Sequence, residues 1–229
     1  MTVKDLTGVT VLFDLDGTLV DTAPDLIGTL NRLLVQRGYR PVAVAESKHL
    51  VGHGARALLE HGFAEAGAAQ HEATDPALFD AFLADYVAHI ADHSRPFEGA
   101  VAALERLAAR GAILAVATNK RTDLSLALLD ALDLTRHFAA VVGPDRVSAR
   151  KPSGAHLHEA VVSAGGDPAR AVMVGDSTID TGAARDAAMP CIVAGFGYND
   201  AAPAAMGGDA TLDHYDQIDA LIDRLLSAN

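Results

Sequence analysis

Asp14-Leu15-Asp16-Gly17-Thr18 sets two carboxylates two positions apart directly after the apolar run from Val9 to Phe13. Such a run reads as a buried strand, so both acids stand at its carboxyl end. Like charges held this close resist ionisation unless one is protonated or a cation neutralises them. Oxygen ligands select a hard cation, and magnesium commonly uses one or two carboxylates together with water and substrate phosphate. Asp14 could then bind the metal through one oxygen and attack phosphorus with the other. Asp16 could protonate the leaving oxygen and later take a proton from water. Gly17 permits the sharp turn that brings both acids into range. The competing reading is a strand-ending turn whose aspartates are solvated caps.

Three further segments carry polar chemistry after apolar runs. In Ala117-Thr118-Asn119, a hydroxyl and the following backbone N–H groups could hold phosphoryl oxygens, or Thr118 could cap the next helix. Lys151-Pro152 sets an ammonium ahead of a helix beginning near Ser153, where it could supply positive charge or simply be exposed, with Arg150 beside it. Gly175-Asp176-Ser177-Thr178-Ile179-Asp180 has two acids four residues apart at a helix start. Asp176 would complete the cation site, and Asp180, on the same helical face, would hold Lys151 or a metal-bound water. Acids favoured by the helix dipole are the alternative.

The elements that must position these groups alternate. Strand-like runs at Val9 to Phe13, Ala112 to Ala117, Ala140 to Val142, Ala171 to Val174 and Cys191 to Ala194 are separated by helical periods. These periods include Val101 to Arg110, Leu124 to Leu132, His156 to Ala164 and Thr181 to Ala188, with Gly111 and Gly165 as stops. The alternation predicts an α/β fold, a doubly wound parallel sheet that binds ligands beyond the carboxyl ends of its strands. All four polar segments fall at such ends. From about Leu19 to Arg95 the rhythm breaks into helical patterns alone, Asp25 to Arg37, Ala55 to Ala66 and Pro76 to Ala91, which predicts a helical insertion. Ala201 to Gly208 reads as a surface loop, and Tyr215 to Leu226 as a last amphipathic helix.

Composition narrows the classes. The 229 residues suffice for one core plus a smaller insertion. A formal charge of -12, from 18 basic and 30 acidic residues, disfavours nucleic acid and anionic membranes as partners. An anionic substrate therefore needs local positive potential from a metal, a lysine or helix N-termini. Cys191 is the sole cysteine, so an intrachain disulfide and a thiolate cluster are both excluded; its apolar neighbours place it in the core. The N-terminal region carries no long apolar stretch, and a cytoplasmic location is the expectation. The histidines, including His156 and His158, show no zinc-ligand spacing and are expected at the surface.

Together the four motifs resemble those of the haloacid dehalogenase-like hydrolase superfamily, over nearly the whole chain. The resemblance implies a Rossmann-like core, 1–18 and 95–229, and a mobile helical cap, 19–94. It also implies an aspartyl-phosphate intermediate and Mg2+. By position, Asp14 matches the nucleophile and a metal ligand, and Asp16 the acid/base that offers its backbone carbonyl to the metal. Thr118 and Lys151 match the phosphoryl binders, Asp176 the metal-ligand acid and Asp180 its supporting acid. Asp21-Thr22-Ala23-Pro24-Asp25-Leu26, Val51-Gly52-His53-Gly54 and Gly195-Phe196-Gly197-Tyr198-Asn199 resemble the phosphoglycolate phosphatase branch. His53 and Arg56 could meet a substrate carboxylate when the cap closes, or could be a solvated turn and helix start, and Asn119 joins Thr118 and Lys151 as a substrate contact. The expected activity is Mg2+-dependent hydrolysis of a small phosphate monoester, 2-phosphoglycolate first. A sugar phosphomutase, a pyrophosphatase, a dehalogenase and a noncatalytic phospholigand-binding protein are the competing readings. Asp16 speaks against the dehalogenase, because a halide leaving group needs no protonation.

Overall fold

The computed structural model describes residues 5–52 and 54–227, without the side chains of Ala45, Glu46 and His49. Its centre is a six-stranded parallel sheet of β1 (Thr10–Phe13), β4 (Ile113–Ala117), β5 (Ala140–Val142), β6 (Ala171–Gly175), β7 (Cys191–Ala194) and β8 (Ala210–Leu212). The spatial order is β5-β4-β1-β6-β7-β8. The chain builds outward from β1 on one side, then returns to β1 and builds on the other. β1 is thus flanked in parallel by β4, with Phe13 opposite Val116, and by β6, with Phe13 opposite Val174. The crevice at this reversal opens beyond the carboxyl ends of the three central strands.

Alternation along the strands divides the core into two layers. Val11, Phe13, Val116 and Val174 face α6 (Ala100–Ala109), α7 (Thr122–Ala131) and α10 (Ile218–Leu225). Leu12, Ala115, Ala117, Met173 and Cys191 face α8 (Gly154–Ser163) and α9 (Thr178–Asp186). Cys191 is buried, as its neighbours imply. One strand of this sheet lies outside the sequence expectation: β8 is only three residues long and follows the small-residue stretch 201–208, so it carries no extended apolar run to mark it.

Between β1 and β4 the chain leaves the sheet through β2 (Val20–Asp21) and returns through β3 (Arg95–Pro96), which pair antiparallel. The excursion is helical: α1 (Ala23–Gln36), α2 (Val44–Val51), α3 (Ala55–Glu65), α4 (Gln70–Ala73) and α5 (Pro76–Ala88). The sequence patterns anticipated α1, α3 and α5, but not α2 or the single-turn α4. The helices share their own core around Leu30, Leu34, Leu58, Phe63, Phe82 and Tyr86. This is an inserted α-helical cap on a Rossmann-like sheet. Asp25, buried at the start of α1, pins the crossing: its carboxylate accepts from the backbone N–H groups of His93 and Ser94 and from the Ser94 hydroxyl at 2.6–3.1 Å.

Candidate functional site

The end of β1 supplies the first pair of acids. Asp14 N–H donates to the Val174 carbonyl at 2.9 Å, which continues the sheet by one residue. The chain then folds back on itself, with Gly17 N–H donating to Val20 O and Leu19 N–H to Leu15 O. Gly17 has φ +82°, and a Cβ there would stand 2.3 Å from Asp176 Oδ2 and 2.7 Å from the Tyr198 ring. The turn needs glycine for its backbone conformation and for the close approach of β6's acid.

Lys151 comes from the segment preceding α8, and its side chain lies buried at the carboxyl ends of the central strands. Its Nζ donates to Asp180 Oδ1 and to the Ala117 carbonyl, both at 2.7 Å, and lies 3.1 Å from Asp14 Oδ1. The contact with Asp14 is ionic and not a directed bond, because Asp14 Oδ1 is buried without an aligned donor. Burial opposes the ammonium's charge, but the Asp14 and Asp180 carboxylates outweigh it and push its pKa up. Arg150, which might have taken this place, is exposed at the cavity rim instead.

Asp180 is a support of this arrangement. Its second oxygen closes a capping box with Ser177 at the start of α9, accepting from Ser177 N–H at 3.1 Å and from the Ser177 hydroxyl at 2.6 Å. One carboxylate thus takes part in the capping box of α9 and hydrogen-bonds Lys151. Asp176 is fixed from two sides, with Thr18 Oγ1 donating to Oδ1 at 2.8 Å and Tyr198 N–H to Oδ2 at 2.7 Å.

Asp14, Asp176 and Asp180 each present a carboxylate oxygen within 4.8 Å of the others. Burial, and then repulsion from its acidic neighbours, raises Asp176 well above the usual carboxylate range. Asp14 is raised to about 6, chiefly by burial; Lys151 pulls against this, and Asp180 and Asp16 add to it. A buried acid pair under this strain, with one oxygen lacking an aligned donor, fits a hard divalent cation. Asp14 Oδ1 has no aligned donor and each Asp176 oxygen accepts a single hydrogen bond, whereas Asp180 Oδ2 accepts three and its Oδ1 is held by Lys151.

The Asp16 side chain is not part of that cluster. Its carboxylate turns to Lys120, whose Nζ donates at 3.0 and 3.3 Å. This holds the carboxylate on the side of the crevice away from Asp176 and Asp180. Thr118 is buried, and its hydroxyl accepts from Lys120 N–H at 3.1 Å. It does not cap α7, whose N-cap is Arg121. Asn119 Nδ2 donates to the Lys151 carbonyl at 3.0 Å, while its Oδ1 is buried and unpartnered.

A cavity of about 230 Å³ lies between these groups and the cap, lined on the core side by Asp14, Asp16, Thr118, Asn119 and Lys120. Arg56, Phe82 and Tyr86 are among its cap-side walls. The Arg56 guanidinium sits 4.0 Å over the Phe79 ring. His53, the other expected cap contact, lies outside the described residues.

Several working residues escaped the sequence reading. Lys120 was hidden beside the better-marked Thr118-Asn119. Tyr198 lies in a segment noted only as a branch feature. Its N–H holds Asp176, while its hydroxyl donates to Asp21 Oδ1 at 2.7 Å and accepts from Ala23 N–H at 2.8 Å, which joins the acid to the root of the cap. His156 corrects a surface expectation. It is fully buried, its Nδ1 accepting from Lys151 N–H at 3.2 Å and its Nε2 facing the Val142 carbonyl at 3.1 Å. Position i+5 from Lys151 was the available signal. His158 is exposed as expected.

A doubly wound sheet with an acid after the first strand, a buried lysine, a further acid after β6 and an inserted helical cap defines a class of hydrolases with a Rossmann-like core. The chain belongs to the haloacid dehalogenase-like hydrolases, whose family model matches residues 11–194, and within them to the phosphoglycolate phosphatase branch. It is 49% identical to a phosphoglycolate phosphatase of Caulobacter vibrioides over 93% of this chain and 90% of that one. It is 42% identical to one of Mesorhizobium japonicum over 95% and 96%. A predicted phosphoglycolate phosphatase from Haemophilus somnus superposes with a TM-score of 0.84 at 27% identity, over 96% and 99%. The chain is a phosphoric monoester hydrolase. No helix among the described residues is long and apolar enough to cross a membrane.

Proposed function

We propose that this protein is a Mg2+-dependent phosphatase that hydrolyses 2-phosphoglycolate through a phosphorylated Asp14. The observation that carries the reading is the placement of Asp14: a half-buried carboxylate at the crevice, beside an ammonium, with an oxygen that has no aligned donor. The substrate assignment rests on the relatives' names and on a small cavity with cationic walls.

In this reading Asp14 and Asp176, with the backbone carbonyl of Asp16, hold the cation, which supplies Lewis-acid neutralisation of the phosphoryl oxygens. Thr118 and Lys151 bind those oxygens on the opposite side. Asn119 orients the Lys151 segment through its carbonyl and presents Oδ1 to the cavity. Asp14 attacks phosphorus as the ester oxygen leaves, and Asp16 gives that oxygen its proton. In the second step Asp16 takes a proton from water, which attacks the acyl phosphate and returns Asp14. The cap, assigned to 19–94 against a core of 1–18 and 95–229, shields both steps from bulk solvent, with Arg56 and His53 as cap contacts of the substrate. The cytoplasmic location expected from the sequence is part of the same proposal.

A panel of 2-phosphoglycolate, pyrophosphate, nucleotides and sugar phosphates, compared by kcat/KM with Mg2+ and with chelator, tests the assignment. Highest efficiency on 2-phosphoglycolate, lost with chelator, is the expected result. Isomerised sugar phosphate as the main product would instead favour a mutase, and turnover of no ester would favour a binding protein.

A further inference from the structure

Lys120 is the second nearly buried ammonium of the crevice, its side chain 7% exposed. Lys151 has two carboxylates beside it, Asp14 and Asp180, whereas the ionic partner of Lys120 among the described residues is Asp16 alone. On its other side Lys120 Nζ lies 4.5 Å from the ring centre of Tyr86, which reaches in from α5 of the cap. Tyr86 is completely buried and lines the same cavity as Lys120; its oxygen can accept from the Lys120 ammonium, but its O–H proton has no acceptor among the described residues. A buried O–H donor without an acceptor is costly in a folded protein. A cation and an unused donor, facing one cavity from two units of the fold, match an anion with oxygen acceptors. The other cavity cations are exposed, Arg121 being paired with Asp123 and Arg56 laid over Phe79.

We propose that Lys120 and the Tyr86 hydroxyl form the subsite for a carboxylate at the end of the substrate remote from phosphorus, and that its arrival draws Lys120 away from Asp16. This rests on the phosphatase reading above and adds to it. Without the second anion, Lys120 keeps hold of the acid that must serve the leaving oxygen. With it, the carboxylate replaces Asp16 as the partner of the ammonium, and Asp16 is released to turn toward the ester oxygen. The subsite is complete only when α5 covers the crevice, so recognition of the substrate tail and closure of the cap are one event. Selectivity for an acidic tail then originates in the core lysine as much as in the cap.

The test is the ratio of kcat/KM for 2-phosphoglycolate to that for ethyl phosphate, an alkyl ester whose leaving oxygen also needs a proton but which lacks the carboxylate, measured with Mg2+. In Lys120→Met this ratio falls by about a hundredfold, the scale of a lost buried charge contact. Lys120→Arg restores part of it, and Tyr86→Phe lowers it by a smaller factor. Parallel losses on both esters, with the ratio unmoved, overturn the subsite and leave Lys120 as a positioning residue for Asp16. Should Lys120→Met not fold, glycolate serves as the probe of the wild-type protein. Competitive inhibition by glycolate, weakened in Tyr86→Phe and absent with ethylene glycol, supports the subsite, whereas equal effects of the two overturn it. Failure of the wild type to hydrolyse 2-phosphoglycolate sinks the assigned activity itself, an outcome separate from an unmoved ratio.

Discussion

Lys151 Nζ stands 3.1 Å from Asp14 Oδ1, while its directed hydrogen bonds go elsewhere, to Asp180 and to the Ala117 carbonyl at 2.7 Å. The ammonium is fixed by Asp180 and the Ala117 carbonyl and faces the carboxylate proposed as the nucleophile. It can thus neutralise charge next to Asp14 without occupying the carboxylate's lone pairs.

Asp14→Asn should reduce kcat for any phosphate monoester by about three orders of magnitude or more, because the amide is a poor nucleophile. Binding of the substrate to the variant should persist, since Lys151 and Thr118 are untouched. Steady-state kinetics on freshly purified protein, with calorimetric binding alongside, makes the check, and sustained turnover would remove Asp14 from its role.

Asp16→Asn should behave differently on different leaving groups. An alkoxide needs a proton as it departs, whereas 4-nitrophenolate is stable without one. The variant should lose most of its rate on alkyl phosphates and less on 4-nitrophenyl phosphate, where only the hydrolysis of phosphorylated Asp14 still needs the base. An accumulating phosphoenzyme, seen as a burst of 4-nitrophenol, is the expected signature.

Removal of Lys151 should unsettle the fold as well as the reaction. Lys151→Met leaves Asp14 and Asp180 buried without their cation, a change that costs about 3–5 kcal/mol when one partner of a buried pair is lost. The double variant Lys151→Met with Asp180→Asn should recover part of that loss in Tm while staying inactive. No recovery would show that the pair is not an energetic unit.

Divalent cation should raise Tm, because it relieves the repulsion that lifts the Asp14 and Asp176 carboxyls above their usual range. At about a hundred times the dissociation constant the gain is roughly 2.7 kcal/mol. Asp176→Asn should abolish the Mg2+-dependent rise, and removal of one charge should make the metal-free variant more stable than metal-free wild type. Thermal scans with EDTA and with Mg2+ separate these outcomes.

Acid should destabilise the fold through His156. Burial, together with the charge of Lys151, lowers its pKa from 6.5 to about 4. The neutral ring is the bound form, with Nδ1 accepting from Lys151 N–H and Nε2–H donating to Val142. Below about pH 6.5 the unfolded chain takes up a proton that the native ring refuses, so this contribution is whole above that pH and is lost as pH falls toward 4. The loss is on the order of 3 kcal/mol. In His156→Gln the slope of unfolding free energy against pH between 6.5 and 4 should flatten, as urea titrations would show.

Much of this was legible from the chain alone. Asp14, Asp16, Thr118, Lys151, Asp176 and Asp180 each follow or precede an element with a clear apolar period, and a parallel strand buried on both faces writes its end plainly. Lys120, Tyr86 and Tyr198 carried no such mark. Their roles come from partners 104, 34 and 22 residues distant, Asp16, Lys120 and Asp176, and no local period records a contact of that range. His156 was misread for the same reason. A histidine on a helix face says nothing of its burial until the carbonyl of Val142 is brought beside it.

The sequence by itself determined that acids, a hydroxyl and a lysine stand at the carboxyl ends of alternating strands, because strand and helix periods are local properties of the chain. Only the tertiary structure decided which of those acids come together and which one turns away. Asp14 and Asp176 meet because β1 and β6 are neighbours in the sheet, although far apart in the chain. Asp16 faces Lys120 instead, because the turn at Gly17 and the packing of Tyr86 from the cap leave its carboxylate that partner. Strand order and the docking of the cap are set by burial of surfaces distant in sequence, and these fix the charge geometry around Asp14.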